Sequence, residues 1–167
     1  MLVALMFEGK KKCLLVNRSF NMVEVPINLK KSAFDGTILD GELYENTLMI
    51  YDGVRVSGQS VWDLNLNNRM DSVKVMLKGL ISMKSDQYKL KCKRFHPMKN
   101  FKTFMNDYLP TVTQKQDGLV FTPVDEPIRL GTHETLFKWK PVHQNTVDFQ
   151  LKWEPSRETP GFKRGRS

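Results

Sequence analysis

The sequence has little cysteine and no long apolar run, and both scarcities narrow the class of protein. Cys13 and Cys92 are the only two cysteines in 167 residues and stand far apart, which matches neither a disulfide framework nor a zinc site. No segment approaches the roughly 18 consecutive apolar residues of a membrane-spanning helix. The first twelve residues place their apolar run ahead of their lysines, the reverse of a secretory signal. These features predict an intracellular protein, in cytoplasm or nucleus, with two reduced thiols and no membrane partner.

The chain has fewer acidic than basic residues. Lys and Arg number 26 against 18 Asp and Glu, which gives a net charge of +8. Clustered basic side chains displace counterions from phosphates, so this excess favours a polyanionic partner without identifying it. A chain of this length with 40% hydrophobic residues can form one globular domain.

Short strand-like runs separated by turn signals occupy most of the chain. Gly9, with its charged neighbours, predicts a hairpin turn between the first two runs. Glu45-Asn46 predicts a second tight turn within residues 37–56. The strand-like runs are residues 2–8, 11–17, 21–27, 37–56 (two strands), 88–95, 117–123 and 134–141.

Two segments carry a helical pattern instead. The first is predicted to begin near Asp71 or Ser72, and residues 98–109 predict a short helix stopped by Pro110. The apolar positions of the first helix have the i, i+3, i+4, i+7, i+8 spacing of an amphipathic face: Val73, Met76, Leu77, Leu80 and Ile81. The fold class is therefore α+β, dominated by antiparallel sheet. The tail from Glu154 is rich in Pro, Gly and charge, which predicts disorder or a linker.

The candidate functional residues lie in five short motifs that follow one another along the chain. They are ILDGELY (38–44), LMIYDGVRVSG (48–58), KQDGLVFTP (115–123), LFKWKP (136–141) and NTVDF (145–149). This order and spacing resembles the covalent nucleotidyltransferases, the superfamily of mRNA capping guanylyltransferases and polynucleotide ligases. The Lys-Trp-Lys-Pro segment followed by Asn-Thr-Val-Asp-Phe looks like the capping enzymes of eukaryotes and large DNA viruses, because ligases usually lack the latter. The resemblance covers roughly Val3 to Lys152.

The resemblance implies both a fold and a reaction. Residues 1–152 would form an antiparallel sheet-rich nucleotidyltransferase domain (ATP-grasp-like, of the ligase and capping enzyme type). Residues 153–167 would be a linker, a disordered tail or the start of an OB-fold domain. In the family, a lysine attacks the α-phosphate of GTP with Mg²⁺ or Mn²⁺ present, and the lysyl-GMP is handed to the 5′-diphosphate end of RNA. The implied partners are GTP, the RNA 5′ end and the other parts of a capping enzyme: triphosphatase, OB-fold domain and methyltransferase.

The same resemblance assigns roles to the first two motifs and the Lys-Trp-Lys strand. Glu42 matches the carboxylate near the ribose hydroxyls and the metal, and Tyr51 the aromatic that stacks on guanine. Taken alone, Glu42 would be read as a solvated strand-end residue and Tyr51 as filling a half-buried strand. Lys138 and Lys140 match the lysines on the α-phosphate, and in a strand both emerge on one face. The alternative for that strand is a solvated basic segment with a buried Trp139.

The remaining matches rest on shorter motifs. Asp117 matches the second family acid and, with Glu42, is the expected metal ligand. Asp148 matches the acid of the Asn-Thr-Val-Asp-Phe segment, and each of these two aspartates could instead be a turn or strand-end residue. Lys93 resembles the lysine that reads the guanine carbonyl, and Arg18 the arginine that reaches the ribose or phosphates.

The family nucleophile lies in a Lys-x-Asp-Gly motif that is expected ahead of Met1. Lys115 to Gly118 fits the same pattern but has too little chain after it to hold the other motifs, and Ile50 replaces the lysine in Ile-Tyr-Asp-Gly. Two hypotheses follow. The chain is the interior of a capping enzyme that forms no covalent adduct by itself, or it is a non-catalytic module that binds nucleotide or RNA ends. A ligase-like adenylyltransferase is a lesser alternative.

Overall fold

Alternating apolar residues build a mixed sheet in the computed structural model, which describes residues 1–78, 80, 87–114, 116–142, 145–146 and 149–152. Strand order in this seven-stranded sheet is β3-β2-β1-β4-β5-β6, with β7 also paired to β5. The strands are β1 (Leu2–Phe7), β2 (Lys10–Val16), β3 (Met22–Glu24), β4 (Thr37–Tyr44), β5 (Thr47–Val56), β6 (Gln59–Ser60) and β7 (Lys89–Cys92). The predicted hairpin of the first two runs is confirmed, since β1 pairs antiparallel with β2, and β3 adds to β2, also antiparallel.

The two predicted hairpin turns are present. Glu8 and Gly9 lie in the left-handed region between β1 and β2, with φ of 48° and 73°. Glu45 also lies in the left-handed region, between β4 and β5, with φ of 51°. Both turns join antiparallel strands, so the dominant antiparallel character that the sequence predicted is confirmed.

One strand pair departs from that expectation. β7 runs parallel to β5, with Thr47 opposite Lys89 and Ile50 opposite Cys92. Parallel pairing requires a crossover rather than a tight turn, and α1 lies in the connection between these strands. The sheet is therefore mixed.

Helix α1 (Leu66–Leu77) packs against β5 and begins earlier than predicted. Asn65 caps it, accepting a hydrogen bond from the Asn68 backbone N–H at 2.9 Å. The predicted start near residues 71 and 72 was wrong, because the buried face includes a charged residue, Arg69, that interrupts the apolar pattern. The predicted helix also extends too far, since α1 ends at Leu77 and Leu80 lies beyond it, while Ile81 lies outside the described residues.

The core fills the space between α1 and one face of the sheet. Its fully buried side chains include Leu2, Leu39, Ile50 and Val73. A Cβ at Gly53 would lie 2.8 Å from Val73 Cγ2, so glycine at that position of β5 lets the helix approach the strand closely. Cys13 is buried, Cys92 is half-buried, and both are free thiols.

The rest of the described chain forms irregular helical turns and a small second sheet. Residues 98–109 are helical as predicted, as a 3₁₀ turn, one α-helical turn (α2, Phe101–Thr103) and a π turn. The predicted stop at Pro110 was wrong, because a further 3₁₀ turn over Leu109–Thr111 includes the proline at its start, where no backbone N–H is needed. The predicted strands at 117–123 and 134–141 are confirmed as β8 (Leu119–Phe121) and β9 (Phe137–Trp139), which pair antiparallel. Among the described residues, no helix is long and apolar enough to cross a membrane. The predicted tail from Glu154 lies outside the described residues.

Candidate functional site

A β-bulge presents Tyr51. Along β4 and β5, Asp40 is opposite Asp52 and Gly41 is opposite Ile50, so Tyr51 is an extra residue on β5. A bulge bends its strand and re-aims the side chain it carries. Ile50 points into the core, whereas Tyr51 is half-buried on the other face of the sheet. The aromatic predicted from the sequence is thus displayed on the face opposite α1.

Charged groups surround the Tyr51 ring, and we call Arg18, Asp40, Glu42, Tyr51 and Lys93 the tyrosine cluster. Burial, and then the charge of Asp40 and its hydrogen bond with the phenol, raise the pKa of Tyr51 to about 12. The positive charge of Arg18 opposes this rise in pKa, and Glu42 adds to it. The Lys93 Nζ lies 5.9 Å from the ring centroid. The structure therefore brings together four residues predicted as one nucleotide site, namely Arg18, Glu42, Tyr51 and Lys93.

Hydrogen bonds hold the main chain at Lys93 and in the turn that carries Arg18. The Lys93 N–H donates to the Ile50 carbonyl at 2.6 Å, which continues the parallel pairing of β7 with β5 up to the bulge. Arg18 lies in the turn between β2 and β3. In that turn the Asn17 side-chain oxygen accepts hydrogen bonds from the Ser19 and Asn21 N–H groups at 2.9 and 3.0 Å. Asx turns of this kind set the chain direction locally.

A second constellation, the lysine cluster, lies at the small sheet and consists of Asp117, Lys138 and Lys140. The Nζ atoms of Lys138 and Lys140 lie 2.7 and 3.6 Å from the same oxygen of Asp117. The hydrogen bond from Lys138, followed by the charges of both lysines, lowers the pKa of Asp117. The two amines thus converge on one anionic group, as their spacing predicted. The buried tryptophan of the alternative reading is contradicted, because Trp139 is 47% exposed, whereas its solvated basic strand agrees with the exposed residues of β9.

Glycine is required where the lysine cluster meets the backbone. Gly118 has φ of 141°, and a Cβ built there would overlap the carbonyl oxygen of Trp139. A side chain at this position would push β9 away from the residue that precedes β8. The Asp-Gly pair therefore places the Asp117 carboxylate beside the lysines of β9.

The predicted metal ligands belong to different clusters, Glu42 to the tyrosine cluster and Asp117 to the lysine cluster. Among the described residues, no three His, Cys, Asp or Glu side chains form a group that could hold a metal ion. Asp148 and Lys115, predicted respectively as a nucleotide-binding acid and a spurious match to the nucleophile motif, lie outside the described residues.

Sequence reasoning missed a buried ion pair directly behind Tyr51. Arg69 of α1 is 2% exposed and donates from Nε and Nη2 to both oxygens of Asp52, at 2.7 and 2.9 Å. Its remaining nitrogen, Nη1, donates to the backbone carbonyls of Leu64 and Glu126. Asp40, the neighbour of the Tyr51 phenol, was also missed. Both aspartates stand beside glycines in the sequence, a pattern that indicates a turn as readily as a site.

Comparison with known proteins decides the family. A family model described as "mRNA capping enzyme, catalytic domain" matches residues 1–142. The chain belongs to this capping enzyme family. Every member of the two clusters lies within the matched region.

Individual capping enzymes show the same likeness over part of their length. The mRNA-capping enzyme of Mus musculus is 28% identical over 134 residues, covering 70% of this chain and 22% of the mouse protein. The mRNA-capping enzyme subunit alpha of Kluyveromyces lactis is 32% identical, covering 72% of this chain and 30% of the relative. That of Saccharomyces cerevisiae is 27% identical, with 86% and 38% covered. The chain thus spans less than two fifths of the length of these capping enzymes.

Proposed function

We propose that this chain is the nucleotide-binding body of an mRNA guanylyltransferase, a nucleotidyltransferase domain of the ligase and capping enzyme type. The observation that carries the proposal is the tyrosine cluster, in a chain that belongs to the capping enzyme catalytic domains. A half-buried aromatic on a bulge, with an ammonium beside its ring and the Asp40 carboxylate at its hydroxyl, has the parts of a nucleoside site.

Guanine is the base that this cluster suits. The Tyr51 ring supplies a stacking surface, and the Lys93 ammonium near it can only donate hydrogen bonds. Guanine has an acceptor oxygen at the position where adenine has an amino donor. Lys93 would pair with the guanine oxygen and would meet an unmatched donor in adenine. Glu42 and Arg18 would then contact the ribose, the carboxylate by accepting from its hydroxyls.

The lysine cluster would take the phosphates. Asp117 holds the two ammonium groups of Lys138 and Lys140 in one place, so an incoming α-phosphate meets a preformed pair of donors. Mg²⁺ commonly takes one or two carboxylates and completes its shell with phosphates and water. Glu42 and Asp117 are hard oxygen donors that fit this pattern for Mg²⁺ or Mn²⁺. The cation would neutralise phosphate charge.

In the complete protein, these groups would serve guanylyl transfer. We propose that the attacking lysine of the family forms lysyl-GMP there and passes GMP to the 5′-diphosphate end of an RNA. The positioned nucleotide contributes to this rate because alignment of reacting groups replaces a bimolecular encounter. The other parts of a capping enzyme are the proposed partners, inside the cell.

Calorimetric titration of the chain with GTP and with ATP, with and without Mg²⁺, tests the proposal. We expect GTP to bind more tightly than ATP and Mg²⁺ to strengthen binding. Loss of one aromatic stack costs about 1–3 kcal/mol, so Tyr51→Ala should raise the Kd for GTP about 5- to 150-fold. Lys138→Ala should weaken the binding of GTP more than the binding of guanosine, because the proposed contact of Lys138 is with phosphate alone.

Two matched variants serve as controls. Phe7→Ala removes another exposed ring and Lys10→Ala another exposed ammonium, both at the turn of the first hairpin. Equal affinity for GTP and ATP would favour the ligase-like alternative. Binding that ignores Tyr51→Ala and Lys138→Ala would refute the proposed site.

A further inference from the structure

The face of the sheet that displays Tyr51 continues beyond the tyrosine cluster. In β7, Lys89 and Lys91 are exposed, whereas Leu90 and Cys92 between and after them pack on the core. Residues two apart in a strand share a face and lie about 6.6 Å from each other. Lys89, Lys91 and Lys93 therefore form one row of ammonium groups that starts at the Tyr51 ring.

The strand register places an aromatic on the same face as the far end of that row, two strand spacings or about 9.6 Å away across β5. Tyr44 of β4 is opposite Thr47 of β5, and Thr47 is opposite Lys89 of β7. Directly opposed residues in a sheet project from the same face. Tyr44 is 44% exposed and is therefore available to a ligand. The same face thus carries Tyr51 with Lys93 at one end and Tyr44 with Lys89 at the other, and Lys91 lies between.

Building on the proposed function, we propose that this row is the track of the acceptor RNA, with Lys89 and Lys91 on consecutive phosphates and Tyr44 under a base. Single-stranded nucleic acid is bound by positive grooves that follow its backbone and by aromatic rings on which bases stack. The track starts at Lys93 beside the proposed guanine site, so an RNA on it approaches the bound nucleotide from the side of the base. Neither Lys89 nor Lys91 forms an ion pair with a residue that the structure describes.

Lysines on an edge strand also have a protective role, since they prevent edge-to-edge association of sheets. That role predicts no affinity for RNA and needs no aromatic on the same face. Tyr44 separates the two explanations, because an exposed ring does not protect an edge but does stack a base.

The test measures binding of a short single-stranded RNA with a 5′-diphosphate to the chain by fluorescence anisotropy across a series of salt concentrations. Each phosphate contact on a single strand contributes about −0.7 to the slope of log K against log salt. Lys89→Ala/Lys91→Ala removes two contacts and should make the slope shallower by about 1.4. Tyr44→Ala should raise the Kd about 5- to 150-fold at constant slope. Lys10→Ala/Lys30→Ala is the control with equal charge loss from exposed positions on other elements. Circular dichroism checks that each variant is folded.

The expected result is a change of slope in the Lys89/Lys91 variant and none in the control, with the Kd for GTP unaltered in both. An equal slope change in the two double variants would overturn the track, since it would show diffuse attraction. A slope unaffected by Lys89→Ala/Lys91→Ala, or no RNA binding by the chain, would also overturn it. These outcomes are independent of the GTP titration. The RNA measurement can refute the track without refuting the guanine site, and the GTP titration can refute the guanine site without refuting the track.

Discussion

Replacing Arg69 with methionine should destabilise the protein more than any change to a surface ion pair. The guanidinium is 2% exposed, makes two hydrogen bonds to Asp52 and supplies donors to two backbone carbonyls. Removing one partner of a buried pair costs about 3–5 kcal/mol. The Asp52 side chain is 17% exposed and keeps some contact with solvent, so we expect a loss towards the lower end of that range. That loss is a large fraction of the roughly 5–15 kcal/mol by which most domains are stable.

Urea unfolding followed by circular dichroism measures this loss from the midpoint at an unchanged slope. Lys74→Ala is the control, because the Lys74–Asp71 pair has side chains 59% and 66% exposed, and such pairs contribute about 0–1 kcal/mol. If Arg69→Met does not fold, Arg69→Lys keeps the charge and should show an intermediate loss. Adding Asp52→Leu to Arg69→Met removes the orphaned carboxylate and should recover part of the loss. A loss below about 1 kcal/mol for Arg69→Met would refute the reasoning, as would a double variant that is no more stable than Arg69→Met alone.

Two further predictions follow from the clusters. The Tyr51 phenol should titrate near pH 12, so its contribution to stability is complete below pH 10, the ordinary tyrosine value, and is lost as pH rises from 10 towards 12. Near-ultraviolet absorbance should show one late-titrating phenol that is absent in Tyr51→Phe, and a Tyr51 that ionises near pH 10 would contradict this. Gly118→Ala should destabilise more than Gly131→Ala, because both glycines have positive φ but only the Cβ at Gly118 overlaps backbone. Equal midpoints in urea would show that the small sheet can shift to accommodate the methyl group.

The strands were predictable because their signal is local. Alternation in residues 2–16 and the turn glycine determine the first hairpin without reference to the rest of the chain. The same holds for the convergence of Lys138 and Lys140, which follows from their spacing in any strand.

What the sequence did not reveal depends on contacts between distant residues. The helix start was missed because Arg69 breaks the apolar pattern. A buried arginine requires a partner for its charge, and that partner, Asp52, lies on a different element. The parallel pairing of β7 was missed because no turn signal marks a crossover. The bulge at Tyr51 is a register shift between two strands, and a register cannot be read from either strand alone.

Arg69 also connects the two clusters of the proposed site. Its partner Asp52 directly follows Tyr51 on β5. Its Nη1 also donates to the carbonyl of Glu126, which lies in the segment after β8, and Asp117 lies just before β8. The same segment is tied to α1 by the hydrogen bond from the Leu66 N–H to the Val124 carbonyl at 2.8 Å. The ribose fixes the separation of base and α-phosphate in a nucleotide, so a site that grips both ends needs a matching, fixed separation. The buried Arg69 guanidinium, with its four hydrogen bonds, provides that connection, because breaking them would leave several polar groups without partners. We therefore expect Arg69 to position the base and phosphate clusters relative to each other while touching neither ligand.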